Sequence, residues 1–227
     1  KVKEFAAGDG PLGIRLSDPA IDLARTVAWK DRIVGRLTTG VAGLLKKAKV
    51  KSVAGWARFR DGKTVVVETE TGEQVIRAEQ IVIATGSAPV ELPPLPFGGK
   101  VISSTEALAL KQVPAALAVV GGGYIGLELG TAFAKLGSKV TVVEALPRIL
   151  PQYDADLTRP VAKRLAALGI EVMTGARAKG LSGKDGALLV ETEGGEEARI
   201  EADRVLVTVG RRPLVEGWGW KRSTWTA

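Results

Sequence analysis

Two stretches of the chain arrange apolar and polar positions in the same order. Each contains short β-rich runs separated by turns, then an unbroken apolar run, then a turn of small residues. The β-rich runs lie at residues 52–60, 64–69 and 74–77 in the first stretch and within residues 177–202 in the second. The apolar runs predict buried strands at Gln80–Ala84 and Arg204–Val209. The pattern therefore indicates two copies of one nucleotide-domain plan, each with a β-meander that leads into a strand.

A spacing of three or four residues between apolar positions predicts helices elsewhere. These segments are residues 22–45, 105–110 and 157–168. In the first helix, Gly35 and Gly40 weaken continuity, and Trp29 is expected to pack in its interface. In the last, Pro160 is expected in the first turn, with Asp156 as the N-terminal cap.

The stretch Leu117–Glu144 combines strand, glycine turn, helix and strand without a gap. After the apolar run Leu117–Val120, Gly121, Gly123 and Gly126 have the G-x-G-x-x-G spacing of dinucleotide-binding folds. Gly121 permits a tight turn, Gly123 lets the backbone approach a pyrophosphate, and Gly126 lets the helix pack close to the sheet. The helix has one apolar face, formed by Ile125, Leu129, Phe133 and Leu136, and its predicted end is Gly137.

Glu144 ends the second strand of this stretch, which contains Val140, Val142 and Val143. A carboxylate at that position accepts hydrogen bonds from the ribose hydroxyls of a dinucleotide. It repels a 2′-phosphate, so the sequence predicts NAD rather than NADP as the ligand.

The predicted fold class is α/β, with two Rossmann-like units that carry β-meanders. The first unit lacks its opening strand, glycine turn and helix, and the Pro-rich segment 89–99 separates the two. We place the domains at residues 1–111 and 112–213, followed by an atypical tail at 214–227. Three of the five tryptophans lie in this tail, which we interpret as a frameshift or an artificial chain end.

Composition limits the chemistry of the chain. Its 227 residues include neither cysteine nor histidine, so we predict no catalytic thiolate or imidazole and no metal site. The net charge of +7 suggests nucleic-acid binding, but the cationic residues are scattered along the chain. The one dense cluster, Leu44–Lys51, is explained as a solvated helix end. No apolar run is long enough to span a membrane, and we expect no secretory signal. We expect a cytoplasmic protein without a nucleic-acid or membrane partner. Because the sequence does not begin with Met, we expect an excised or incomplete chain.

Several motifs together resemble the flavoprotein disulfide reductases. They are GGGYIGLELG, the strand end VVEA, the ATGS turn, ISSTEAL from Ile102, and the VGRRP turn. Within that family, the chain is most similar to the dihydrolipoyl dehydrogenases over residues 22–213. The resemblance implies a partial FAD-binding domain at 1–111 and a nearly complete NAD-binding domain at 112–213. It also implies a homodimeric parent, and as partner the lipoyl-bearing acyltransferase of a 2-oxo acid dehydrogenase complex.

The resemblance also assigns residues to the two cofactors. For NAD, it implies contacts from the glycine turn, the following helix, the next strand end, the meander and the VGRRP turn, at Gly121, Gly122, Gly123, Tyr124, Ile125, Gly126, Glu128, Glu144, Ala178 and Gly210. For FAD, it implies contacts from Ala57, Thr85, Gly86 and Ser87.

Other elements of the family are absent from this sequence. The FAD glycine fingerprint, the C-x-x-x-x-C redox pair, a later FAD-contacting Gly-Asp turn and the His–Glu catalytic pair are all missing. We therefore expect a fragment of an NAD-dependent dihydrolipoyl dehydrogenase that is inactive by itself. Two alternatives remain open: a non-catalytic NAD-binding or interaction module, and a fragment of another pyridine nucleotide-disulfide oxidoreductase.

Overall fold

A computed structural model describes residues 20–219, and residue contacts divide this part of the chain into two units. The first contains residues 20–30 and 89–211, and the second contains residues 31–88 and 212–219. The helices are α1 Leu23–Lys47, α2 Ser104–Ala107, α3 Tyr124–Leu136 and α4 Ala155–Ala167. The strands are β1 Trp56–Asp61, β2 Thr64–Thr69, β3 Gly72–Arg77, β4 Ser87–Pro89, β5 Val101–Ile102, β6 Ala116–Val120, β7 Lys139–Val143, β8 Glu171–Met173, β9 Arg177–Leu181, β10 Leu188–Glu191, β11 Glu197–Ile200, β12 Arg204–Val207 and β13 Arg211–Pro213.

A five-stranded parallel sheet organises the first unit, in the order β5-β12-β6-β7-β8. Its strands are apolar on both faces because both faces are covered. Along β6, Leu117 and Val119 belong to one buried cluster, whereas Ala118 and Val120 belong to a second cluster on the other face. The α/β fold class predicted from the sequence is confirmed.

Helix α3 covers one face of this sheet. It buries Gly126, Leu127, Gly130 and Phe133 and ends at Gly137, which has the left-handed φ of 120° expected of a helix stop. The prediction for the end of this helix is confirmed.

Helix α4 begins earlier than predicted. Its N-cap is Asp154, whose carbonyl accepts hydrogen bonds from the N–H groups of Leu157 and Thr158. The prediction of Asp156 as the cap is therefore wrong, and Pro160 lies inside the helix rather than in its first turn. A turn that closes from the Tyr153 N–H to the Leu150 carbonyl comes immediately before this start.

An antiparallel meander covers the other face of the sheet. It consists of β9, β10 and β11, and Leu188 and Val190 of its central strand are buried in the second apolar cluster. This second meander agrees with the sequence prediction. The two short strands β4 and β13 pair with each other.

The second unit contains the antiparallel sheet β1-β2-β3. The run Gln80–Ala84, predicted to be a strand, forms none, and Val82 is 89% exposed. The prediction fails because the described part of this unit provides no parallel strand for the run to join.

Helix α1 is continuous through Gly35 and Gly40. Trp29 on this helix is 57% exposed, so the expectation that it packs in an interface is wrong. Leu37 and Leu44 are also exposed, which shows that the apolar spacing of this helix predicted its conformation but not its burial.

The domain limits predicted from the sequence stay a prediction. Contacts group residues 89–111 with the parallel sheet, whereas the linker argument placed the boundary near Lys111. The part of the tail from residue 220 onward and the irregular segment expected at residues 1–19 lie outside the described residues. Within the described chain, no helix has the length and apolar character needed to cross a bilayer.

Candidate functional site

A cleft of about 760 Å³ lies at the carboxyl edge of the parallel sheet. We call it the edge cleft. Strands β6, β7 and β12 each end there, and the first residue after each strand, Gly121, Glu144 and Thr208, lines it. Ligands of open α/β sheets bind at this edge because parallel strands bring their carboxyl ends together.

Backbone hydrogen bonds attach these three residues to the sheet. The N–H of Gly121 donates to the Val143 carbonyl, that of Glu144 to Met173, and that of Thr208 to Val120, each over 2.8 Å. Each residue therefore extends the sheet ladder one step beyond its strand, which fixes the floor of the edge cleft.

The three motif glycines have different surroundings. Gly121 has a φ of +108°, and a Cβ there would lie 2.7 Å from the Thr208 carbonyl oxygen. A Cβ on Gly126 would lie 2.4 Å from the Gly121 carbonyl oxygen. A Cβ on Gly123 would meet nothing within 4 Å, although Gly123 lines the edge cleft. Gly121 and Gly126 are thus required by packing, whereas Gly123 leaves open space at the cleft.

The start of helix α3 faces the same region. Gly123 is its N-cap and provides no side-chain hydrogen bond, and no acidic residue lies in the first turn. The first N–H groups of a helix have no acceptor within it and carry partial positive charge. Tyr124, which is 58% exposed, and Ile125 line the edge cleft beside them. This end of the cleft suits a negatively charged group.

The carboxylate of Glu144 is buried at 8% exposure. One oxygen accepts the Gly122 N–H at 2.6 Å, and the other accepts the Leu146 N–H at 2.8 Å. Each carboxylate oxygen retains a further lone pair. Glu144 therefore holds the glycine turn and still has capacity to accept hydroxyl groups in the edge cleft.

The other predicted NAD residues divide into two groups. Ala178 on β9 and Gly210 before β13 line the edge cleft with the residues already described. Gly122, Gly126 and Glu128 do not line it. Gly122 instead packs against Glu144 and Ile149, Gly126 packs under the turn, and Glu128 is exposed on α3.

The predicted FAD residues belong to the second unit. Ala57 is in β1, opposite Val67, and Ser87 begins β4. The Thr85 hydroxyl donates to the Leu214 carbonyl at 2.6 Å, and the Gly86 carbonyl accepts the Leu214 N–H at 3.0 Å. The assignment of these four residues to FAD stays a prediction.

Sequence reasoning missed several residues that line the edge cleft. They include the cations Arg177 and Arg211, the polar residues Gln152 and Thr208, and the apolar residues Leu92 and Val209. Thr208 lies inside the predicted run Arg204–Val209, whereas β12 ends at Val207, and it could have been found as the polar residue near the carboxyl end of that apolar run. Gln152, Leu92 and Val209 lie on connections whose path the sequence does not specify, and Arg177 and Arg211 begin the short strands β9 and β13. In the described part of the chain, no group of acidic residues is arranged to hold a metal ion.

Comparisons with known proteins agree on one family. The model of the pyridine nucleotide-disulphide oxidoreductases matches residues 3–223. A dihydrolipoyl dehydrogenase of Pseudomonas aeruginosa is 57% identical over 96% of this chain and 47% of the relative. That of Geobacillus stearothermophilus is 44% identical over 95% of this chain and 46% of the relative. The chain spans about half the length of the curated relatives it matches.

Solved structures show the same similarity. The flavoprotein disulfide reductase RclA of Escherichia coli has a TM-score of 0.72 and 30% identity, over 86% of this chain and 44% of that chain. LpdA of Mycobacterium tuberculosis has a TM-score of 0.78 and 25% identity, over 88% of this chain and 45% of that chain. These matches support the predicted family resemblance.

Proposed function

The chain belongs to the pyridine nucleotide-disulphide oxidoreductase family, and from that premise we propose that its edge cleft is the NAD site of a dihydrolipoyl dehydrogenase. The observation that carries the proposal is the convergence of Gly123, Glu144 and the start of α3 on one cleft. These groups provide open space, a hydroxyl acceptor and unpaired N–H donors, which are the three requirements of a dinucleotide.

The edge cleft fits this ligand in size and in chemistry. Its volume of about 760 Å³ lies within the range of small-molecule sites. Gly123 and the first N–H groups of α3 would hold the pyrophosphate, and Glu144 the adenosine ribose. Tyr124 and Ile125, which line the edge cleft, would border the nicotinamide, with Ala178 and Gly210 contributing backbone contacts. NAD supplies the hydride-accepting ring, and the chain supplies binding and orientation.

Glu144 carries the proposed preference for NAD over NADP. Its carboxylate has free lone pairs for two ribose hydroxyls but would stand next to a 2′-phosphate. Arg177 and Arg211 also line the edge cleft and would offset part of that repulsion. We therefore expect a preference rather than complete exclusion.

The parent activity is a proposal based on the relatives. The family is FAD-dependent and uses a pyridine nucleotide. In the whole protein, dihydrolipoamide would reduce a cysteine disulfide, the electrons would pass to FAD, and a hydride would pass to NAD. We propose a lipoyl-bearing acyltransferase of a 2-oxo acid dehydrogenase complex as partner, a homodimer as the assembly, and the cytoplasm as the location.

Titration calorimetry with NAD and NADP tests the NAD site. The chain should bind NAD. Gly123→Val should abolish binding while leaving the fold intact, because Gly123 lines the edge cleft and a Cβ there would meet no heavy atom within 4 Å. Gly194→Val is the matched control, since Gly194 also has open space around it but lies in the meander turn. An unchanged affinity in Gly123→Val would remove the edge cleft from the proposal.

An assay of dihydrolipoamide oxidation tests whether this chain is catalytically active by itself. This chain should show no turnover above a blank, because thiol–disulfide exchange requires a thiolate and the sequence has no cysteine. NAD binding without turnover fits both a fragment of the enzyme and a non-catalytic NAD-binding module. Turnover by the purified chain would contradict both.

A further inference from the structure

The peptide group that joins Gly121 to Gly122 is held at both of its ends. Its N–H, on Gly122, donates to the Glu144 carboxylate at 2.6 Å. Its carbonyl oxygen, on Gly121, lies 3.2 Å from the Thr208 hydroxyl oxygen, which donates to it. The two side chains come from the ends of different strands, β7 and β12.

From this geometry we propose that Thr208 is a positioning residue that fixes the glycine turn for dinucleotide binding. This inference rests on the proposed NAD site. Because a peptide bond is planar and trans, fixing the direction of a carbonyl also fixes the direction of the N–H that follows it. Thr208 and Glu144 together therefore prevent rotation of the Gly121–Gly122 peptide and set the direction in which the chain enters α3.

Thr208 is rigid enough for this role. Its N–H donates to the Val120 carbonyl at 2.8 Å, so its backbone is part of the sheet ladder. Its hydroxyl lies 3.2 Å from the Val120 carbonyl oxygen and 3.2 Å from that of Gly121. A hydroxyl has one hydrogen, which the two oxygens share. The residue is half-buried, which strengthens these bonds relative to an exposed site.

The same contact explains two of the motif glycines. A Cβ on Gly126 would lie 2.5 Å from the Thr208 hydroxyl oxygen, and a Cβ on Gly121 would lie 2.7 Å from the Thr208 carbonyl oxygen. Thr208 thus fills the space that both glycines leave. A turn packed in this way is ordered before the ligand arrives, so binding does not incur the cost of ordering it.

Thr208→Val and Thr208→Ser form a matched pair for the test. Valine keeps the shape but loses the donor, and serine keeps the donor. By calorimetry, Thr208→Val should weaken NAD roughly tenfold, as expected for a lost hydrogen bond to a buried carbonyl, whereas Thr208→Ser should stay within about twofold of the original chain. Adenosine, which has no pyrophosphate, should bind all three proteins alike.

Two calorimetric results would overturn the proposal: Thr208→Val binding NAD as tightly as the original chain, or Thr208→Ser binding as weakly as Thr208→Val. An equal loss for adenosine would also contradict it, because it would indicate general damage to the edge cleft. If Thr208→Val does not fold by circular dichroism, the pair Thr208→Ala and Thr208→Ser replaces it.

Amide hydrogen exchange in the absence of nucleotide gives a second readout that does not depend on NAD binding. The Gly122 amide should exchange faster in Thr208→Val than in Thr208→Ser, because the peptide is then held at one end only. Equal exchange in the two variants would exclude the positioning role. Failure of the original chain to bind NAD would instead refute the proposed function, and the exchange comparison would still decide the role of Thr208.

Discussion

The strand β12 and the segment 81–84 both contain a run of consecutive apolar residues, but they have different structures. Both follow a meander and precede a turn of small residues. In β12, Val205 and Leu206 are fully buried between parallel neighbours, β5 on one side and β6 on the other. In the segment 81–84, no strand forms and Val82 is 89% exposed.

The difference shows what a buried parallel strand needs. An apolar run supplies side chains for two faces, but its backbone N–H and C=O groups require partner strands on its edges. The first unit supplies both partners, β5 on one side of β12 and β6 on the other. The described part of the second unit has only antiparallel strands, so its apolar run stays outside a sheet.

Flavin content gives the largest expected difference between the two units. We expect the purified chain to carry no stoichiometric FAD, because the described part of the second unit has no glycine turn between a parallel strand and a helix. The same preparation should bind NAD. Absorbance near the flavin bands measures the first result and calorimetry the second. A yellow protein with one flavin per chain would contradict the comparison.

Truncating one residue in each apolar run tests the comparison through stability. Leu206→Ala should lower the free energy of unfolding by about 2–5 kcal/mol, because it opens a cavity in a fully buried site. Val82→Ala, at a largely exposed site, should change it by less than about 0.5 kcal/mol. Urea denaturation of both variants provides the measurement. Equal losses would mean that segment 81–84 is buried in solution.

Glu144→Gln should weaken NAD binding roughly ten- to a hundredfold, because charged hydrogen bonds of this kind contribute about 1.5–3 kcal/mol. The amide also replaces one of the two acceptors used by the Gly122 and Leu146 N–H groups. The affinity for NADP should fall by less than the affinity for NAD, because the variant no longer carries the charge that repels the 2′-phosphate. Calorimetry with both nucleotides measures the change, and Glu197→Gln on the exposed meander strand β11 is the charge-matched control. Unchanged NAD affinity would remove Glu144 from the ribose site.

Because Glu144 holds the glycine turn, replacing it to change the nucleotide preference also alters the turn. Glu144→Arg removes the repulsion of a 2′-phosphate and adds a phosphate partner, so it should reverse the preference. It also removes both acceptors of the turn, so we expect the affinity for NADP to rise by less than the affinity for NAD falls.

The smallest expected effect is at helix α2, where Ser103 and Glu106 form a capping box. The Ser103 hydroxyl and N–H bond to the Glu106 carboxylate and lower its pKa. A carboxyl with a pKa lowered by folding stabilises the fold above its unfolded pKa, and that contribution is lost as the pH falls through its folded pKa. Glu106→Gln should therefore cost about 0.5 kcal/mol or less near neutral pH, because the side chain is exposed.

Thermal melts of Glu106→Gln and of the original chain test the direction of this pH dependence. The difference in melting temperature should be present near pH 7 and should shrink as the pH falls below about 4, where the carboxyl becomes protonated. A difference that grows in acid would contradict the assignment of the capping box.

Residues close in sequence were sufficient to predict the central elements of the first unit. The apolar run Leu117–Val120, the motif glycines and the stop at Gly137 predicted β6, the turn and α3, because each depends on residues close in sequence. The position of Glu144 at a strand end was predictable for the same reason. Local reasoning misplaced the cap of α4, because Asp154 and Asp156 lie two residues apart and either aspartate suits an N-cap.

The sequence by itself determined the family, the α/β class and the positions of the glycine turn and Glu144. Only the tertiary structure decided that Thr208 reaches the Gly121 carbonyl from a strand 87 residues away and that Glu144 holds the other end of the same peptide. It also decided that Trp29 and Val82 are exposed. The physical reason is common to all these cases: apolar spacing specifies which side of an element is available for packing, whereas burial and side-chain hydrogen bonds depend on which distant elements the fold brings alongside.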